Sequence, residues 1–107
     1  MKTDRELLEL AARAAGIVGV WHEHGEAMRI ETNPGHEWWN PLTDDGDALR
    51  LACQLQFDIA LGHKGATVTL YGGQLAQEFC HKDSGEDNAA TRRAITRAAA
   101  AIGESMP

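Results

Sequence analysis

The chain reads as an α+β domain in which three amphipathic helices alternate with strand pairs, in the order α-β-β-α-β-β-α. Three observations carry this reading. Apolar residues recur at helical spacing near both ends of the chain and at its middle. Short runs rich in β-branched and aromatic residues lie between them, bounded by turn residues. The connections within each strand pair are too short for a crossover, so the pairs are antiparallel. The expected architecture is an antiparallel sheet layered with helices.

The first helix is expected over Thr3–Ala15. Thr3 and Glu6 have the spacing of a capping box, in which hydroxyl and carboxylate each accept a free backbone N–H. Leu7, Leu8, Ala11, Ala14 and Ala15 make its apolar stripe, and Gly16 suits a left-handed C-cap. Ile17–His24 then reads as a strand, Gly25 as a turn and Ala27–Glu31 as the return strand. Thr32-Asn33-Pro34-Gly35 is a turn cluster, after which His36–Trp39 is read as the segment crossing to the second helix.

Pro41 moves Asn40 out of helical geometry, so that Thr43 or Asp44 can cap the next helix. Asp44, Asp45 and Asp47 fall in its first turn, where the helix dipole favours negative charge. Ala48, Leu51, Ala52 and Leu55 follow at core spacing, with Leu49 and Cys53 alongside, and the helix is expected to end near Gln56. Cys53 is therefore read as a small buried hydrophobe.

Phe57–Leu61 alternates as a half-buried strand does, and His63-Lys64-Gly65 reads as a hairpin turn. Thr67–Tyr71 places Val68 and Leu70 on one face and stops at Gly72-Gly73. Gln74–Cys80 fits either a loop or a short edge strand, and His81–Asp87 reads as a polar loop. The last helix is expected from Asp87 or Asn88 to Ile102. Ala90, Ala94, Ile95, Ala98, Ala101 and Ile102 form its inner face, and Gly103 stops it.

A chain of 107 residues is one domain, here 1–107. The net charge of −6 points away from nucleic acid and anionic membranes, and towards solubility or a basic partner. Two cysteines do not make a disulfide framework. No apolar run approaches the roughly 20 residues of a membrane span, and the polar start Met1–Glu6 does not lead a secretory signal. The expected location is the cytoplasm.

The run Trp39-Asn40-Pro41-Leu42-Thr43-Asp44-Asp45-Gly46-Asp47-Ala48-Leu49-Arg50-Leu51-Ala52 resembles the signature of the phage ABA sandwich domain family, a set of small phage and prophage proteins. Ala89-Ala90-Thr91-Arg92-Arg93-Ala94-Ile95, with Arg97-Ala98-Ala99-Ala100, extends the similarity, as does Leu7–Gly16. The first hairpin, with His22 and His24, and the segment Gln74–Asp83 match least. The resemblance implies a sheet layered between helices and expression in a bacterium carrying a phage or prophage. It brings no activity and no catalytic residues.

Several chemistries are weighed against structural roles. Asp44, Asp45 and Asp47 offer hard ligands for a divalent cation, but with Gly46 as the turn glycine the first EF-hand ligand falls on Pro41. His22 and His24 share a face if both lie on a strand, and His36, Cys53, Cys80 or His81 could complete a zinc site. Neither a CxxC nor an HxxxH spacing supports one. Cys80 and His81 are adjacent and point apart on a strand, and no nucleophile elbow, phosphate loop or HExxH is present.

Arg92, Arg93 and Arg97 are expected on the outer side of the last helix, where they could meet phosphates or a partner's carboxylates. Of Trp38 and Trp39, one is expected in the core and the other at an interface. The preferred reading is a non-enzymatic module with no cofactor, binding another protein or a second copy of itself. Its candidate surface comprises Trp38, Trp39, Arg92, Arg93 and Arg97. The alternative is a nucleic-acid-binding or metal-dependent phage protein using those arginines or His22 and His24.

Overall fold

The computed structural model describes residues 2–63, 65–70, 75–79 and 88–107. Its elements run α1 (Asp4–Ala15), β1 (Val20–His22), β2 (Ala27–Glu31), β3 (His36–Trp39), α2 (Asp45–Leu55), β4 (Asp58–Gly62), β5 (Gly65–Thr69), β6 (Leu75–Phe79) and α3 (Ala89–Ser105). The fold is α+β with antiparallel strands, and its helices and strand groups follow the expected order. The strands form two separate three-stranded sheets, β1-β2-β3 and β4-β5-β6. His36–Trp39 is a third strand of the first sheet rather than a crossing segment, and Leu75–Phe79 takes the edge-strand option. Helix α2 separates the two groups along the chain.

Local chemistry fixes the helix ends. The Glu6 N–H donates to the Thr3 hydroxyl at 3.1 Å, and the Thr3 N–H donates back to the Glu6 carboxylate at 3.1 Å. Those bonds hold the Glu6 carboxyl below its ordinary range, the Thr3 backbone N–H contributing most. Gly16 closes α1 in the left-handed region, with φ of 70°. Asp44 caps α2 by accepting the Asp47 N–H at 2.8 Å, and Gln56 closes it, also left-handed.

Helix α3 begins within a residue of the expected start and departs from expectation at its C-terminal end. Asn88 precedes it without a side-chain cap; its amide donates instead to Asp45 of α2 at 2.7 Å. The helix continues through Gly103 to Ser105. Gly103 is buried where α3 crosses α1, and a Cβ there would collide with the Leu10 carbonyl. The glycine serves helix–helix approach, not termination.

The first sheet meets the helices through β2 on α1, and the second through β5 and β6 on α3. Leu8, Ala11, Ala12, Ala94, Ala98 and Ala99 form the alanine-rich seam between α1 and α3, which small side chains allow to close. Leu51, Met28, Trp39, Val68 and Ile95 complete the core. Fully buried leucines such as Leu8 and Leu51 each contribute about 1.5–3 kcal/mol. Ala101 is exposed and Ile102 half-buried, so the inner face of α3 is rotated towards Thr96, Ala99 and Ala100, which are buried. Among the described residues, no helix is long and apolar enough to cross a membrane.

Candidate interaction surface

Strand β3 sends adjacent tryptophans to opposite faces, as its alternation requires. Trp39 pairs with Met28, faces the helices and is 7% exposed. Trp38 pairs with Arg29 on the other face and remains 47% exposed. Its ring meets His22 edge-to-face at 5.1 Å and His36 likewise at 5.5 Å. A Cβ on Gly25 would lie 3.1 Å from the indole, so the glycine in the β1–β2 turn lets the ring lie close. Held on three sides, the indole loses little conformational freedom when something binds it.

Trp38 also lines two adjoining cavities of about 790 and 550 Å³, and Asp47 and Arg50 of α2 line both. A fixed, half-exposed indole beside a groove has the form of an interface anchor.

The acidic first turn of α2 is structural. Asp47 is buried and accepts the Asn40 N–H at 3.0 Å and Arg50 at 2.7 Å. Asp45 accepts Arg92 and Asn88, each at 2.7 Å. The Arg92 hydrogen bond, followed by that from Asn88, holds the Asp45 carboxyl below its ordinary range. Asp47 likewise raises the pKa of Arg50, chiefly by hydrogen bonding. Among the described residues, no group of three His, Cys, Asp or Glu side chains is placed to hold a metal ion.

The three arginines do not form one outer face. Arg92 is buried: its Nε donates to the Leu42 carbonyl at 2.8 Å and its guanidinium pairs with Asp45. It ties α3 to the entry of α2. Arg93 and Arg97 do share a groove of about 460 Å³. There, Arg93 pairs with Asp4 at 3.0 Å and Arg97 with Glu78 at 2.6 Å. Lys2 in the same groove pairs with Glu104 at 2.9 Å. These pairings balance the groove's positive charge.

His22 ends β1, while His24 lies in the turn that follows, so the two do not alternate along one strand. Their rings are nonetheless 6.0 Å apart. Cys80 and His81 lie outside the described residues, as do Lys64, Gly72-Gly73 and the polar loop through Asp87. Cys53 is exposed, not buried, and Leu49 one turn earlier is 60% exposed. Both lie off the arc through which Ala48, Leu51 and Ala52 meet the core.

Sequence reasoning missed one surface. Leu49 and Leu61 flank an apolar groove of about 350 Å³ that Ile59 and Ile95 also line. The signal was a leucine at either side of the periodic core positions.

Comparison of the chain with family models, curated proteins and solved structures finds no match.

Proposed function

We propose that the chain is a small phage or prophage accessory protein, working in the cytoplasm of the host bacterium as a non-catalytic protein-binding module. The phage assignment rests on the resemblance of Trp39–Ala52 and of the last helix to the phage ABA sandwich domain. The binding assignment rests on one observation: the Trp38 indole is half-exposed yet braced by His22, His36 and Gly25. An unbraced surface indole would lose more freedom on binding and so anchor a partner less well. Asp44, Asp47 and Arg50 beside the groove are paired with one another, which fits positioning rather than catalysis.

The nucleic-acid alternative draws less support, since Arg92, Arg93 and Arg97 are all committed to carboxylates. The test is capture from lysate of cells expressing the phage genes, using the native protein and Trp38→Ala as parallel baits. The reading expects a protein retained by the native chain and lost with Trp38→Ala. Retention of salt-sensitive nucleic acid instead would replace it with the alternative.

A further inference from the structure

The row Leu61–Ala66–Glu78 lies on the helix-facing side of the second sheet, where Ala66 is buried and Glu78 meets Arg97 of α3. Leu61 belongs to that row but is 74% exposed. It is a helix-side leucine on an edge strand, and among the described residues α2 and α3 line the groove beside it without covering it. Leu49 of α2 stands exposed across the same groove. Among the described residues, β4 pairs only with β5, so its other edge presents unpaired backbone groups. Its sequence, Asp58-Ile59-Ala60-Leu61-Gly62, has one charge and no proline to discourage pairing.

The charges select the occupant. Asp58 opens the strand. A two-fold antiparallel pairing centred on Ala60 sets Asp58 of one copy opposite the uncharged Gly62 of the other, twice over, and so keeps the two Asp58 carboxylates at opposite ends of the pairing. A parallel pairing sets Asp58 against Asp58. The antiparallel register also places each Leu61 directly opposite the second copy's Ile59 on the helix side, where it covers the exposed leucine. The edges of the first sheet fit less well: β1 has three residues, and β3 borders the Trp38 groove.

We infer that β4 is a self-association edge, and that two copies of this chain join there into a continuous six-stranded antiparallel sheet, with Leu61 and Leu49 closing the apolar contact. This rests on the reading of the chain as a protein-contact module but uses a surface separate from Trp38.

Sedimentation velocity over a range of concentrations tests it. The native chain is expected to shift from monomer to dimer as concentration rises. Leu61→Glu and, independently, Leu49→Glu are expected to stay monomeric while keeping native far-UV circular dichroism. Both side chains are exposed in the monomer, so neither change opens a core cavity. Trp38→Ala is expected to dimerise normally, which separates this inference from the binding role of the indole. Register is read by cross-linking: Ala60→Cys in a Cys53→Ser, Cys80→Ser background is expected to form an intermolecular disulfide, and Thr67→Cys on the inner strand is not. A native chain that stays monomeric, a dimer indifferent to Leu61→Glu and Leu49→Glu, or an absent Ala60→Cys cross-link would overturn the inference.

Discussion

Trp38 and Trp39 are adjacent in sequence and stand on opposite faces of β3, the first 47% exposed and the second 7%. One peptide unit thus separates a core plug from a half-exposed surface indole. The same strand that closes the fold over Met28 also displays the indole on its outer face.

The two rings should therefore respond differently to truncation. Trp39→Ala should cost about 3–5 kcal/mol of stability through lost burial and the cavity left behind. Trp38→Ala should cost no more than about 1–2 kcal/mol, from its edge-to-face contacts. Chemical denaturation of both variants measures this; a loss for Trp38→Ala as large as or larger than that for Trp39→Ala would contradict the assignment of the two faces of β3.

Arg92 fastens the last helix to the entry of α2, although its type and spacing suggested a solvated face. Arg92→Met keeps the packing of the stem but leaves the Leu42 carbonyl without its donor. Loss of that charge-assisted hydrogen bond should cost about 1.5–3 kcal/mol. Arg92→Lys should not restore it fully, because an ammonium lacks the fork that reaches Leu42 and Asp45 together. A melting temperature unchanged in Arg92→Met would refute the role.

Asp45 gives this fastening a pH dependence. Its carboxyl is held below the ordinary value of 3.8 by Arg92 and Asn88, so the folded state favours the ionised form. The resulting stability is fully present above that value and fades as pH falls through the lower folded-state pKa. Asp45→Asn should thus lose less stability on acidification than the native chain. Thermal melts from neutral pH downwards compare the slopes, and parallel curves would contradict the assignment.

Gly103 tests the crossing of α1 and α3. On helix propensity alone, Gly103→Ala should stabilise by about 1 kcal/mol. The clash with the Leu10 carbonyl should instead make the variant less stable, by about 1–3 kcal/mol of overpacking. The sign of the change in denaturation midpoint decides between the two.

Helix termini were legible because their signals are local: Thr3 with Glu6, Gly16, and Asp44 all act within a few residues. Gly103 was misleading because a glycine that ends a helix and one that admits another backbone look alike until the crossing is known. Strand β3 escaped notice since His36-Glu37-Trp38-Trp39 spans four residues and ends in two tryptophans, which blurs the alternation. Periodicity marked the apolar arc of α2 but not where its contacts stop, so Leu49 and Cys53 were placed with the core. The exposure of Leu61 depends on which strand forms the sheet edge, a tertiary fact. Of the candidate surface, Trp38 was legible as one of two options, whereas the burial of Arg92 depended on Leu42 and Asp45, about fifty residues away.

The proposed anchoring of a protein partner by Trp38 is read by titration calorimetry, from the affinity of the purified partner for the native chain and for Trp38→Ala. An anchoring indole predicts a loss of about 30-fold or more, the equivalent of about 2 kcal/mol, with the variant's fold intact. Equal affinity for the two proteins would contradict it.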